Sequence, residues 1–171
     1  MADDVFETVR TVLAVREYKD QPVPEALVRR IVEAGRLTAS SMNGQPWHFV
    51  VVQQAQRLRE LGALVRTGPY ISGAPLAIVV GYDSESRFGV SDASRAIQSM
   101  ILTAWSEGVG SNWTGFNNLE EVRRWCRLPD SYTVLAVLPF GYPSHSVGKG
   151  KKNRKPLSEI ASLENFGAPF S

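Results

Sequence analysis

A polar segment from Ser40 to Phe49 overlaps the start of an apolar block that ends at Val52. Its Ser, Asn and Gln side chains supply hydrogen-bond donors and acceptors, which suits the binding of a polar, planar group. Gly44 lets the backbone approach such a group closely, and Pro46 restricts the chain beside the apolar block. An ordinary turn after a helix is the alternative, because Ser, Asn, Gly and Pro favour turns for local reasons. The segment predicts a loop before a buried strand and leaves ligand binding open.

Helix and strand patterns alternate along the rest of the chain and predict a mixed sheet surrounded by helices. Apolar runs predict strands; these are 47–52, 76–82, 132–140 and a short strand through Trp113. Apolar residues at helical spacing predict helices; these cover 5–13, 24–38, 58–65 and 92–107. Asn118 and Glu121 are a plausible capping pair for one more helix. We find no internal repeat and no interdomain linker.

Length and composition are those of an ordinary soluble protein. The 171 residues predict one domain over 1–171, with 43% hydrophobic and 21% charged residues. The chain begins Met-Ala-Asp-Asp, which is acidic where a signal peptide is basic, and no apolar run approaches the roughly 20 residues that span a bilayer. We therefore expect a cytoplasmic protein with no membrane association. The net charge of +2 argues against a nucleic-acid partner.

Few residues offer acid–base, nucleophilic or metal chemistry. The one cysteine, Cys126, cannot form an internal disulfide and is expected to pack, and two histidines cannot build a typical zinc site. His48 lies in an apolar block and is expected to be structural. Neither a catalytic triad order nor a Walker-type loop is present. This pattern suits a protein whose reactive chemistry belongs to a bound cofactor.

Two groups of cationic residues are candidate anion sites. In an extended chain, residues two apart share a face, so Lys152 and Arg154 could hold one phosphate between them. A solvated loop is the alternative, and the absence of aromatic residues between Lys149 and Lys155 weakens a nucleic-acid interpretation. Arg16 follows the first predicted helix, where a cation could also simply offset the helix dipole.

The segment 108–115 contains glycines that do not form a dinucleotide-binding motif. Such a motif follows a strand and opens a helix, whereas Gly108 and Gly110 end a helix and precede a strand. Position 113 is Trp where the third glycine would fall. We interpret 111–115 as a strand that ends in a backbone facing a ligand.

Taken in order, these segments resemble the nitroreductase family of FMN-dependent oxidoreductases. Residues 15–19 resemble half of the family's N-terminal Arg-Ser-x-Arg-x-Phe motif, and 37–49 resemble its Ala-Pro-Ser-x-x-Asn-x-Gln-Pro-Trp-x-Phe motif. Residues 108–115 and 138–157 are similar to its Gly-Leu-Gly-Ser-x-Trp-x-Gly segment and its C-terminal signature. The resemblance implies an α+β fold with a mixed, mainly antiparallel sheet flanked by helices.

The resemblance also implies roles for five residues around the flavin. Arg16 would lie over the pyrimidine edge of FMN and stabilise the negative charge of the reduced flavin. Thr114 and Gly115 would face the reactive ring nitrogen through their backbone. Lys152 and Arg154 would hold the phosphate.

A homodimer with its sites at the interface is a further implication. Ser40, Ser41 and Asn43 would then reach the FMN of the opposite subunit, while Gln45 would brace their loop. The implied activity passes hydride from NADH or NADPH through FMN to a nitroaromatic or quinone acceptor, in two steps that use one pocket. The C-terminal tail from Leu163 would dock on its own chain or on the partner.

Departures from the family pattern keep two alternatives open. The family's first Arg and its Ser fall at position 12 or 13 and at Ala14, so two phosphate ligands are missing. Arg10 lies about 200° around a helix from Val12, on the wrong side to substitute, whereas Lys149 and Lys151 are candidates to compensate. The alternatives are a flavin carrier or sensor without useful turnover, and a relative that binds another anion without flavin.

Overall fold

Four strands form one sheet in the computed structural model, which describes residues 5–116, 119–148 and 152–170. The spatial order is β1-β2-β4-β3, and every ladder is antiparallel. The strands are β1 (Trp47–Val52), β2 (Leu76–Asp83), β3 (Gly110–Ser111) and β4 (Tyr132–Gly141). One isolated parallel bridge joins Ala14 to Ser111. The predicted α+β fold with a mixed, mainly antiparallel sheet is confirmed.

Helices cover both faces of the sheet. They are α1 (Val5–Thr11), α2 (Glu25–Arg36), α3 (Ala55–Leu64), α4 (Gly89–Ser106), α5 (Glu120–Trp125) and α6 (Leu157–Ile160), with 3₁₀ turns at Ser41–Asn43 and Pro69–Gly73. All four of the predicted helices end one or two residues earlier than expected. Asn118 of the predicted capping pair lies outside the described residues. In the part of the chain that the structure describes, no helix is long and apolar enough to cross a bilayer.

The core has two layers because β2 is buried on both faces. Leu76, Ile78 and Val80 face α2 and α4, whereas Ala77 and Val79 face α3 and α5, as the period of two in a strand requires. All five side chains are fully buried. The central strand is therefore a continuous apolar run, which is why it could be located from the sequence.

The predicted long strands are confirmed to within one residue, but the short one differs. It was expected to run through Trp113, whereas β3 ends at Ser111. Thr114 then forms a single bridge to Val137 of β4. The register with β4 is unchanged beyond Ser111, since Gly110 pairs with Gly141, Ser111 with Phe140 and Thr114 with Val137.

Three apolar or aromatic features of the sequence are exposed within this chain. The apolar residues of α1 do not pack inward: Val5 is 72% exposed, and α1 contributes no buried residue. The tail does not dock on its own chain, since Phe166 is fully exposed. His48 is exposed rather than a buried structural histidine, with its ring edge-on to Tyr132 at 6.2 Å.

Candidate functional site

The N-terminal segment after α1 holds Arg16 against the short strand β3. The Val15 backbone N–H donates to the Ser111 carbonyl at 2.9 Å, and the buried Val15 side chain packs over Gly110. A Cβ at Gly110 would lie 2.3 Å from Val15 Cγ2, so this close approach requires glycine. Val15 is buried and Arg16 exposed, so the guanidinium points away from the core. Tyr18 fastens the segment through a 2.7 Å bond from its hydroxyl to the Val15 carbonyl.

Arg16 lies over Tyr70, a residue that the sequence did not single out. The Arg16 guanidinium carbon is 6.0 Å from the ring centroid, at the outer limit of a cation–π contact. The Asn112 side-chain amide donates to the Tyr70 hydroxyl, and Asn112 is only 7% exposed. Segments near positions 16, 70 and 112 therefore meet at one place. Nothing in the local pattern around Tyr70 marks this contact, because it spans 42 positions to Asn112.

Thr67, from the same loop as Tyr70, contacts the chain that follows β3. Its hydroxyl shares a 3.2 Å hydrogen bond with Thr114 Oγ1 and accepts one from the Gly115 N–H at 3.3 Å. Gly68 permits this approach, since a Cβ there would lie 2.7 Å from Thr114 Oγ1. The loop 67–70 thus contacts both Arg16, through Tyr70, and Gly115, through the neighbouring Thr67.

Thr114 has a different environment from the one implied by the family resemblance. Its side chain is fully buried. Its backbone N–H donates to the Val137 carbonyl at 3.1 Å, and its carbonyl accepts from the Val137 N–H at 3.0 Å. Neither group is free to face a flavin in this arrangement, because the sheet already pairs both. Gly115 has φ +89° and only a long bond to Thr67, so its N–H is the better available donor.

The polar loop 40–45 has a backbone that is unusual for non-glycine residues. Met42, Asn43 and Gln45 have φ values of 52°, 55° and 47°, and each such residue costs on the order of 1 kcal/mol or more. The Gln45 N–H donates to Ser40 Oγ at 3.0 Å, and Gln45 Nε2 donates to Asn43 Oδ1 at 3.2 Å. Gln45 therefore braces the loop, as predicted. The side chains of Asn43 and Gln45 remain exposed.

A buried carboxylate on α4 anchors this loop. Asp92 is 1% exposed and accepts from the Ser41 N–H at 3.0 Å and the Ser41 hydroxyl at 3.2 Å. Arg95, one turn along α4, donates to Asp92 and lies 3.4 Å from the Ser41 hydroxyl. The sequence does contain a signal for this residue. Asp92 is a carboxylate next to Ala93 on the otherwise apolar buried face of α4.

The phosphate candidates lie beside the end of α1. Lys152 Nζ donates to the Val9 carbonyl at 2.7 Å, a favourable position for a cation near a helix C-terminus. Burial lowers the pKa of Lys152, and the positive charges of Arg154 and Arg10 lower it further. Arg10, also paired with Glu7 at 2.6 Å, therefore acts on the same site. Arg10 as a substitute for the missing family residues stays a prediction.

The predicted site residues fall into three groups within one chain. Arg16 and Gly115 lie around the loop 67–70, Ser40 to Gln45 lie beside α4, and Lys152 lies beside α1. Across residues 5–116, 119–148 and 152–170, no hydrogen bond or ring contact joins these groups to one another. Lys149 and Lys151 lie outside the described residues.

Two cavities adjoin these groups. One of about 260 Å³ is lined by the chain on either side of Arg16 and by residues 143–147. The other, of about 340 Å³, lies beside Gly115 and Phe116 and extends to β2 and β4. Both are near the lower limit of the roughly 300–1,000 Å³ typical of ligand pockets. Each of these two cavities is a partial pocket formed by the part of the chain that the structure describes.

Comparison with known proteins identifies the fold and the family. The fold is that of a solved FMN-dependent nitroreductase from Clostridium difficile, with a TM-score of 0.87 at 26% identity over 94% of this chain and 99% of that chain. A sequence model of the nitroreductase family matches residues 10–70 and 65–142. The chain belongs to the nitroreductase family.

Two further relatives support this assignment. A protein from Desulfovibrio desulfuricans, provisionally described as a nitroreductase and solved in complex with FMN, has a TM-score of 0.83 at 30% identity, over 97% of this chain and 99% of that chain. A Methanothermobacter thermautotrophicus protein, provisionally named an NADH dehydrogenase/NAD(P)H nitroreductase, is 35% identical over 85% of this chain and 80% of its own length. The chain spans most of the length of both relatives.

Proposed function

We propose that this protein is an FMN-dependent oxidoreductase that takes hydride from NADH or NADPH and passes it to a nitroaromatic or quinone acceptor. Family membership supports the cofactor and the reaction class, since one related protein is an FMN-dependent nitroreductase and another was solved in complex with FMN. The structural observation that carries the proposal is the meeting of segments 14–16, 67–70 and 111–115. In this arrangement one loop contacts both predicted residues, since the exposed Arg16 guanidinium lies over Tyr70 and the Gly115 N–H donates to Thr67.

The residues present fit FMN at both of its ends. Lys152, Arg154 and Arg10 are close enough for the two arginines to lower the pKa of Lys152, so an anion placed there would relieve their mutual repulsion. A phosphate monoester, with about −1.5 to −2 charges at neutral pH, is such an anion. At the other end, Arg16 is the cation for the pyrimidine edge. We assign the phosphate to the first group and the ring to the second.

When bound, FMN supplies the hydride chemistry, and the chain contributes binding, orientation and charge. Arg16 stabilises negative charge at the ring edge, and a hydrogen bond to a charged group contributes roughly 1.5–3 kcal/mol. The Gly115 N–H can donate to a ring nitrogen if its long bond to Thr67 is given up. Thr114 supports Gly115 from the core rather than contacting the ring.

We infer that the active form is a homodimer with its sites at the interface. Loop 40–45 presents polar side chains that do not reach Arg16 or Gly115 in one chain, so a second copy is needed to complete the site. Apolar residues exposed on two terminal segments are also consistent with burial against a second copy of the chain. They are Val5, Phe6 and Val9 on α1, and Ile160, Leu163, Phe166 and Phe170 in the tail.

The absorption spectrum of the purified protein tests the cofactor. Bands near 370 and 450 nm at about one flavin per chain, retained after FMN addition and desalting, are the expected result from flavin chemistry. A flat visible spectrum after reconstitution would contradict the proposal and favour a relative that binds another anion. Sedimentation of the same sample tests the homodimer, and a monomer that retains FMN would overturn the interface site.

Turnover kinetics separate an enzyme from a flavin carrier. If nicotinamide leaves before the acceptor binds, double-reciprocal plots at several acceptor concentrations will give parallel lines. Intersecting lines would count against the shared pocket. A protein that retains FMN but is not reduced by NADH or NADPH in stopped-flow would support the carrier or sensor. The lack of the family's Arg at position 12 or 13 and of its Ser at position 14 also favours that alternative.

A further inference from the structure

We propose that Asp92 is the positioning residue that holds loop 40–45 in its flavin-binding conformation. The inference rests on the proposed function, since it assigns Asp92 a part in FMN binding without direct contact. Asp92 lies in the first turn of α4 and is absent from the polar motif that the family resemblance identifies. Its carboxylate joins the core of the subunit to that motif.

The contacts made by Asp92 are directed at one residue of the loop. Its two oxygens accept separately from the Ser41 backbone N–H and the Ser41 hydroxyl, at 3.0 and 3.2 Å. Arg95 closes the arrangement by donating to Asp92. The start of the 3₁₀ turn Ser41–Asn43 is therefore fastened to a long helix packed in the core.

Packing alone does not explain a carboxylate at this position. Asp92 is 1% exposed, whereas its partner Arg95 has a side chain that is half exposed. A buried charge is costly unless hydrogen bonds and an ion pair offset its lost hydration. Its neighbours on the buried face, including Ala93 and Ala96, are apolar. The two bonds to Ser41 are the contacts that an apolar residue there could not make.

The loop needs such an anchor because its backbone is strained. Met42, Asn43 and Gln45 all have positive φ, and strained residues persist only where the surroundings hold them. The bonds within the loop, from Gln45 to Ser40 and to Asn43, connect loop residues to one another and not to the core. Asp92 supplies the connection to the core, so losing it frees the turn that presents Asn43 and Gln45.

The decisive experiment compares Asp92→Asn with wild type, using Asp130→Asn as a charge-matched control. The control removes a 97% exposed carboxylate that pairs with Arg123, away from the loop. Hydrogen–deuterium exchange by mass spectrometry is measured on peptides covering residues 38–49, on peptides from α4 and on peptides from β2. The FMN dissociation constant is measured on apoprotein by fluorescence titration, well below the unfolding temperature.

We expect Asp92→Asn to accelerate exchange in 38–49 while α4 and β2 stay protected. The FMN dissociation constant should rise by about tenfold or more, the factor that corresponds to one lost hydrogen bond to a charged group. Asp130→Asn should change neither. Faster exchange throughout α4 and β2 would show a merely structural role and overturn the proposal. Faster loop exchange with unchanged FMN affinity would also overturn it.

The design separates this inference from the proposed function. Wild-type apoprotein that binds no FMN overturns the proposed function, whereas an unprotected loop in Asp92→Asn still supports the anchoring of 38–49. If Asp92→Asn does not fold, Arg95→Gln replaces it, because the Arg95 side chain is half exposed and contacts both Asp92 and Ser41. It should change exchange and affinity in the same direction by a smaller factor. No change in either would overturn the proposal.

Discussion

The guanidinium of Arg16 lies over the ring of Tyr70, with its central carbon 6.0 Å from the ring centroid. Tyr70 is itself oriented by the side-chain amide of Asn112. The contact joins the N-terminal segment to the loop after α3. Arg16, a cation of the proposed flavin site, therefore has an aromatic neighbour whose position is fixed by Asn112.

Replacing Tyr70 with Phe tests the support beneath Arg16. The ring is kept, but the nearly buried amide of Asn112 loses its partner, so the free energy of unfolding should fall by about 1–3 kcal/mol. Tyr70→Ala should cost more, since the ring is also lost. Urea denaturation measures both variants. Equal stability of wild type and Tyr70→Phe would mean that the Asn112 bond contributes nothing.

Arg16→Ala should slow flavin reduction more than it weakens FMN retention. The reason is that Arg16 acts on charge that develops at the ring edge, while the phosphate is held elsewhere. Stopped-flow reduction by NADPH and a fluorescence titration with FMN measure the two effects. Arg29→Ala is the matched control, because that exposed arginine pairs with Glu25 on the surface of α2. Equal losses in rate and affinity would contradict the role assigned to Arg16.

Gly68→Ala should destabilise the fold by about 1–3 kcal/mol, the usual cost of overpacking. The added methyl group would lie 2.7 Å from Thr114 Oγ1 and 2.8 Å from its Cγ2. Gly73→Ala, in the same loop, is the matched control, since its Cβ would meet nothing within 4 Å. Thermal denaturation compares the two. If both variants were equally stable, the loop would not pack on Thr114 as described.

FMN affinity should fall at alkaline pH through the deprotonation of Lys152. Burial lowers the pKa of Lys152, and Arg154 and Arg10 lower it further. The ammonium form that holds phosphate is therefore lost at a lower pH than for an ordinary lysine, and the dissociation constant should rise as pH increases through that lowered pKa. Without ligand the sign reverses, since the folded state disfavours the charged form and stability increases over the same window.

Titrations with FMN from neutral to alkaline pH measure this effect in wild type and Lys152→Met. The variant should bind more weakly at neutral pH and lack the Lys152-dependent part of the rise. Lys19→Met, at an exposed lysine, is the control. Any pH dependence that comes from titration of the flavin itself should be the same in all three proteins and cancels in the comparison. Identical pH profiles for wild type and Lys152→Met would remove Lys152 from the phosphate site.

Cys126 should react slowly with thiol reagents in the native protein. Burial raises the pKa of its thiol to about 11, although the nearby charge of Arg57 acts in the opposite direction. At pH 8 the thiolate, which is the reactive form, is therefore a small fraction. The rate of reaction with a disulfide reagent should increase sharply in urea. Similar rates in native and unfolded protein would contradict the burial of this side chain.

Much of the fold could be predicted because its central elements have strong local patterns. The run from Leu76 to Val80 is apolar on both faces of β2, and the apolar spacing of α4 is helical over many turns, so each could be located from its neighbours in sequence alone. Exposure could not be predicted in this way. Val5 and Phe166 are apolar in pattern yet exposed, because burial depends on what covers a surface.

In the candidate site, too, the residues of one short segment could be predicted and the contacts between distant segments could not. Ser40, Asn43 and Gln45 were recognised because one short segment contains them, and Gln45 braces that segment as predicted. Asp92 was missed because it reaches Ser41 across 51 positions. The pairing of the Thr114 backbone could not be predicted locally, because a distant strand supplies its hydrogen-bond partner.

The sequence by itself determined the positions of the main strands and helices, the family, and the polar loop with its bracing glutamine. These depend on interactions among near neighbours and on periodicity, which a linear pattern records. Only the tertiary structure decided that Tyr70 underlies Arg16, that Asp92 anchors Ser41, and that Lys152 donates to the Val9 carbonyl. Those relationships depend on distances between segments far apart in the chain, and such distances exist only once the chain has packed around its core.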